Sequence, residues 1–305
     1  MPRGFSFVCS MRLPPRVVRL PPPKANCYDM LAATFSTPAC GPRSASYQSA
    51  MARPYLPQTT ASDLCLRVSQ LVAKSDRYLG RDSFEARMLL RECEKLRQAD
   101  KFDGAIASIY LAEAFGDAEQ VRRHATQARN AYRRNWDEAE FQMAQSLVGL
   151  GYFSEAQAIF RQVGNPGLGQ LSNRAYLGMV SGSMKQLHGF LAQARSMNLE
   201  LDEDAIAPAL AAYAVYQQTS TTDSQAGDLL DLAGVVLRAH RLFAVNGSPK
   251  VSAIDHPELS TVIMELAVRA PVEEVGTLNL ELAELVALRL DAVPAGVVVM
   301  FSGAS

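Results

Sequence analysis

The chain has 305 residues, 48% hydrophobic and 20% charged, enough for one large or two smaller folded domains with a sizeable core. Its formal net charge of −1 conceals a split, with +6 on the first 60 residues and −7 on the remainder. A mildly acidic folded part argues against general affinity for nucleic acid or anionic lipid, and no apolar run approaches the roughly 18 residues of a membrane span.

Residues 1–57 hold ten of the chain's 16 prolines, a density that no helix survives. No apolar period recurs there, so this basic leader is expected to be disordered. Three origins compete. Its arginines and serines match a transit peptide, but the prolines interrupt the amphipathic helix such peptides need. A secretory signal lacks its apolar stretch. The third origin is a start site placed too early, with Met51 as the true beginning. The leader is expected to be dispensable for folding; thermal unfolding of a chain begun at Met51 checks this, and loss of cooperativity would show a structural role. Five cysteines, three of them (Cys9, Cys27, Cys40) in the leader and none in a C-x-x-C pair, read as reduced thiols in a cytoplasm-like compartment.

From Ser62 onward the apolar spacing is helical. Leu64, Val68, Leu71 and Val72 share one face, and Phe84, Met88, Leu89 and Leu96 another. In "GLGYFSEAQAIFRQV", Gly149–Val163, a glycine at a turn precedes aromatic and small residues at helical spacing. Gly151, Phe153, Ala156, Phe160 and Val163, with Met143, Ala144 and Leu147 before them, resemble the second half of a tetratricopeptide repeat. Gly151 permits a sharp turn after one helix, and Ala144 and Ala156 permit close approach of paired helices. Related glycines occur at Gly80, Gly116 and Gly182, spaced 36, 35 and 31 residues apart, bracketing the family's 34-residue period. The resemblance covers residues 64–198.

After "NLELDEDAIAP" the repeat glycines stop. Segments 204–218, 226–243, 257–270 and 272–291 read as paired helices, with Asp255 and Pro257 as a helix start. "GVVVMF" is the credible strand-like segment. The expected fold is an all-α solenoid of tetratricopeptide-like hairpins over 58–200, with a helical extension or cap over 201–305.

Few residues point to chemistry. "GNPGLGQ", Gly164–Gln170, lacks the preceding strand and the Gly-Lys-Ser/Thr ending of a phosphate loop and reads as a turn. His124, His188, His240 and His256 are scattered, with no metal-ligand spacing. No nucleophile elbow occurs, and the acids of "LDEDA" favour the following helix start. No cofactor or metal is expected, and no enzyme, the alternative being one whose site is assembled from residues distant in sequence. Arg122, Arg129 and Arg133 fall on one stripe with Tyr132 and Trp136 nearby, the pattern of an acidic-partner or nucleic-acid surface.

The resemblance implies a non-catalytic protein-binding module: a scaffold, an adaptor, or a chaperone similar to those of Gram-negative secretion systems. It also implies that positions on the first helix of each hairpin face a concave groove. These are Tyr110 and Glu113, then Glu138, Phe141, Gln145 and Val148, then Asn173 and Tyr176. Family members that grip a terminal carboxylate use lysine and asparagine there. Phe141 and Gln145 replace them and only Asn173 matches, so the expected partner is an apolar or amphipathic peptide or helix of another protein.

Overall fold

A computed structural model of the chain describes residues 61–75, 77–132, 136–163, 165–168, 171–244, 249–254 and 260–304. The leader, Arg133, Asp255, His256 and Pro257 lie outside them. The described residues are mainly helical, with one three-stranded sheet.

Helices α1 (Ala61–Lys74) and α2 (Phe84–Ala99) precede three antiparallel pairs. The pairs are α3 (Lys101–Ala114) with α4 (Ala118–Ala131), α5 (Trp136–Gly149) with α6 (Phe153–Val163), and α7 (Leu171–Val180) with α8 (Met184–Ser196). Then α9 (Glu203–Gln218) packs on α8, and α10 (Asp223–His240) on α6, so these two are not the pair expected from the sequence. The first helices stack in order, α1 on α3, α3 on α5, α5 on α7 and α7 on α9.

Three of the turns share one mechanism. Gly116, Gly151 and Gly182 adopt φ of 74°, 74° and 78°, a left-handed conformation that ends a helix at no Cβ penalty. In the second turn, Gly151 N–H donates to Val148 O at 2.9 Å and Tyr152 N–H to Leu147 O at 2.8 Å, satisfying two otherwise orphaned carbonyls. Ser220, with φ 57°, takes the corresponding place between α9 and α10 without a glycine, but the two helices it joins make little contact with each other. Gly80 instead lies in an irregular stretch before α2 and has no positive φ, so the glycine-turn series begins at Gly116.

Between the paired helices, Ala144, Ala156, Phe153 and Phe160 are buried. Ala156 has no exposed surface. Ala156→Leu is therefore expected to destabilise by about 1–3 kcal/mol through overpacking, read from a denaturant titration. An unchanged midpoint would show that the seam has slack.

Helix α10 turns away from α9 and packs on earlier hairpins. It packs on α6 and touches α8. Asp231 Oδ1 accepts from the N–H groups of Phe153 (2.6 Å) and Ser154 (3.1 Å), capping α6. Eight residues earlier, Asp223 accepts from Lys185 (2.9 Å) and Gln186 (3.0 Å), capping α8. Each carboxylate meets orphan donors at the positive end of a helix dipole. One helix thus straps two successive hairpins at their turn ends. Arg238 adds hydrogen bonds to the carbonyls of Leu150 and Gly151 and stacks on Tyr152, 4.0 Å from the ring centroid. The backbones of Gly234 and Gly151 meet so closely that a Cβ on Gly234 would collide with the Gly151 carbonyl. Helix propensity alone makes Gly234→Ala stabilising by about 1 kcal/mol. The collision reverses the sign, and a net loss of about 2 kcal/mol is expected, with faster hydrogen exchange at Phe153 and Ser154. A stabilised variant would show that the strap can shift freely.

The chain then leaves the helical array. The segment expected as a helix over 257–270 contains strand β2 (Thr261–Val268) instead. Val262, Met264, Leu266 and Val268 alternate and are all buried, the period of a strand with one face in the core. β1 (Lys250–Ile254) pairs antiparallel with β2, and β3 (Val297–Gly303), the expected strand-like tail, pairs parallel with it. The parallel connection runs through α11 (Val272–Arg289), whose sequence reads correctly as a helix. The sheet order is β1-β2-β3. β1 and β2 pack on α9, and β3 on α10 and α11.

This C-terminal unit reaches both ends of the array. Thr219 and Thr221, after α9, lie where a Cβ on Gly296 would clash. At the other end, Arg269 donates to the Ala73 carbonyl of α1 and Arg77 pairs with Glu274 at 2.7 Å. Tyr78 N–H donates to Arg241 O at 2.8 Å. The first and last parts of the described chain are therefore joined directly.

Candidate partner-binding face

The eight positions expected to face a partner lie on α3, α5 and α7, which stack in sequence. Their environments differ sharply. Tyr110, Phe141 and Val148 are buried core side chains, whereas Glu113, Glu138, Gln145, Asn173 and Tyr176 are half-buried.

Phe141 is the clearest correction. It is 0% exposed, and the Arg174 guanidinium lies 5.6 Å from its ring centroid. Arg174, 1% exposed, pairs with Asp137 at 2.9 Å and donates to the Val163 carbonyl. A cation from the next hairpin therefore covers the aromatic face meant for a partner. Tyr110 is also engaged internally, donating to Gln142 Oε1 at 2.6 Å, while Gln142 Nε2 donates to Glu138 at 2.9 Å.

Glu113 sits in the same α3–α5 seam. Its carboxylate accepts from Ser146 Oγ at 2.6 Å and leaves no room for a Cβ on Gly149. Burial raises its carboxyl pKa to about 7, against the lowering effect of the Ser146 hydroxyl. On α5, the buried Oε1 of Gln145 has no hydrogen-bond partner among the described residues. Such an acceptor costs about 1–3 kcal/mol unless a donor reaches it.

The arginine stripe is also occupied. Arg122 makes a two-point contact with Glu155, at 2.8 and 2.6 Å, and lies over Tyr152. Arg129 pairs with Glu140 at 3.1 Å. Two of the three stripe cations thus join successive hairpins, and the third, Arg133, lies outside the described residues. Two of the cations on which the nucleic-acid alternative stands are therefore engaged in ion pairs.

The remaining sequence candidates have structural partners. His188 stacks on Tyr213 at 3.9 Å, His240 pairs with Glu281 at 2.8 Å, and His124 contacts Gln127 at 3.0 Å. Burial pushes up the thiol pKa of Cys65 and raises that of Cys93 to about 12, so both remain protonated at neutral pH. Within "GNPGLGQ", Pro166–Leu168 forms one 3₁₀ turn. Asp202 caps α9 through Ala205 N–H at 3.1 Å, as the acidic "LDEDA" pattern predicts. Among the described residues, no group of three or more His, Cys, Asp and Glu could hold a metal ion, and no helix is long and apolar enough to cross a membrane.

Sequence reasoning missed Arg174, Gln142 and Ser146, which organise this face. No local pattern marks a partner one hairpin away. The strap had a signal: Gly227 and Gly234 lie seven residues apart on α10, one face without side chains, beside acids at 223 and 231. No family model, curated protein or solved structure matches the chain.

Proposed function

We propose that the chain is a non-catalytic protein–protein interaction module, a scaffold, adaptor or chaperone, that binds an extended peptide or helix of another protein. The supporting face runs along α3, α5 and α7. Its partly exposed side chains are Glu138, Gln145, Asn173 and Tyr176. The observation that carries this reading is the stacking of α3, α5 and α7, which brings partly exposed side chains of successive hairpins, Gln145 and Tyr176 among them, into one series. Tyr176 supplies an amphipathic ring beside Gln145 in the stacking order. Resemblance of the hairpins to tetratricopeptide repeats agrees with this use, and protonated buried thiols suit a reducing compartment such as the cytoplasm.

The test is selection of peptides from a random library on the full-length protein, followed by affinity measurement. Gln145→Leu combined with Tyr176→Ala should weaken selected peptides about tenfold or more, with the unfolding midpoint retained. Equal binding by the double variant would place the peptides elsewhere, and absence of any selectable peptide would remove the reading.

A further inference from the structure

The C-terminal sheet uses one face for the core. On that face Val251, Met264 and Val299 align across the three strands, as do Ala253, Val262 and Val297. The opposite face is closed at its ends, where Thr261 and the Ser302 hydroxyl are buried, but its middle has no comparable cover among the described residues. There Ser252, Ile263 and Val298 form one cross-strand row, and Lys250, Glu265 and Met300 the next. Ile254, Val298 and Met300 on this face are 43%, 47% and 39% exposed. Isolated exposed apolar residues are ordinary, but adjacent ones on a regular sheet face mark an interaction surface.

Two features narrow the occupant. The outer edge of β3 is closed at Phe301. Asn279 Oδ1 accepts its N–H at 2.9 Å and Asn279 Nδ2 donates to its carbonyl at 2.9 Å, as an added strand would. Edge extension is blocked there, while the middle of the face stays open among the described residues. The face is also self-complementary in charge, because Lys250 and Glu265 are direct cross-strand neighbours among apolar residues. In a two-fold contact each interaction occurs twice, so one cation and one acid per copy suffice for two pairs between copies.

We propose that this open face is an interface between two copies of the chain, packed sheet to sheet. The apolar row of Ile263 and Val298, with Met300 and Ile254, lies at its centre. Lys250 of each copy pairs with Glu265 of the other. The spacing is that of stacked sheets, about 10 Å. This interface is separate from the α3–α5–α7 face, so either assignment stands or falls alone.

Sedimentation equilibrium on the full chain, over about 1–100 µM, tests it. The expected mass at the upper end is twice the protomer's 33.2 kDa. Val298→Lys with Met300→Lys should return the protomer mass while circular dichroism and melting stay unchanged, since both positions are solvent-facing. Lys250→Glu and Glu265→Lys should each weaken the dimer, and the two together should restore it. A protomer mass at every concentration overturns the proposal. So does a dimer that survives both lysines, or a charge pair that is not rescued by the swap.

Discussion

Truncating Phe141 to alanine is expected to lower folding stability by about 3–5 kcal/mol, the range for removing a buried aromatic ring. The ring is 0% exposed and lies in the seam between the second and third hairpins. It also carries the Arg174 guanidinium 5.6 Å above it. Removing it leaves a cavity and strips one neighbour from a cation that is itself 1% exposed. A Phe141 facing the groove would have the opposite consequence, lost partner binding at an unchanged unfolding midpoint. Burial decides between them. A urea titration should show the midpoint falling steeply, whereas a shift worth less than about 1 kcal/mol would mean the ring is not part of the core.

Glu113→Gln is expected to change how stability depends on pH. Burial raises the folded-state carboxyl pKa to about 7 from an ordinary 4.5. Between those values the folded state binds more protons than the unfolded state, so its contribution to stability falls as pH rises. The penalty is absent below pH 4.5 and complete above about pH 7. It amounts to about 3 kcal/mol by linkage. Glutamine keeps the shape and an acceptor for Ser146 but cannot ionise. The variant should therefore match the parent at pH 4 and exceed it by up to about 3 kcal/mol at pH 8. The difference between the two proteins isolates Glu113 from Asp103, Asp223 and Asp231, whose carboxyl pKa values burial also raises. A difference that does not vary with pH would show that the seam admits water to the carboxylate.

Much of the helical array was legible because its causes are local. Gly151 and its two partners announce their turns through the one residue type that tolerates their backbone, and the apolar spacing of α3 to α8 follows the helix period. Ala144 and Ala156 were readable as close-approach positions for the same reason. The strand over Thr261–Val268 was missed because a short apolar run is compatible with either period. Only its neighbours β1 and β3 settle which one wins. Phe141 was misplaced because its cover comes from Arg174, 33 residues away, and not from its own helix. Likewise Arg122 and Arg129 looked free in sequence, while Glu155 and Glu140 pair with them across hairpin boundaries. Site assignment failed where side chains from successive hairpins meet, which is also where an interaction surface must be defined.

The most direct test of the proposed function is photo-crosslinking of a selected peptide from two single positions. One carries the photoreactive side chain at Tyr176, on the α3–α5–α7 face. The other carries it at Val235, a solvent-exposed position on α10 away from that face's side chains. Mass spectrometry of the full-length protein then locates the adducts. The account predicts peptide adducts from position 176, diminished by Gln145→Leu, and none from position 235. Adducts confined to position 235, or equal at both and indifferent to Gln145, would contradict it.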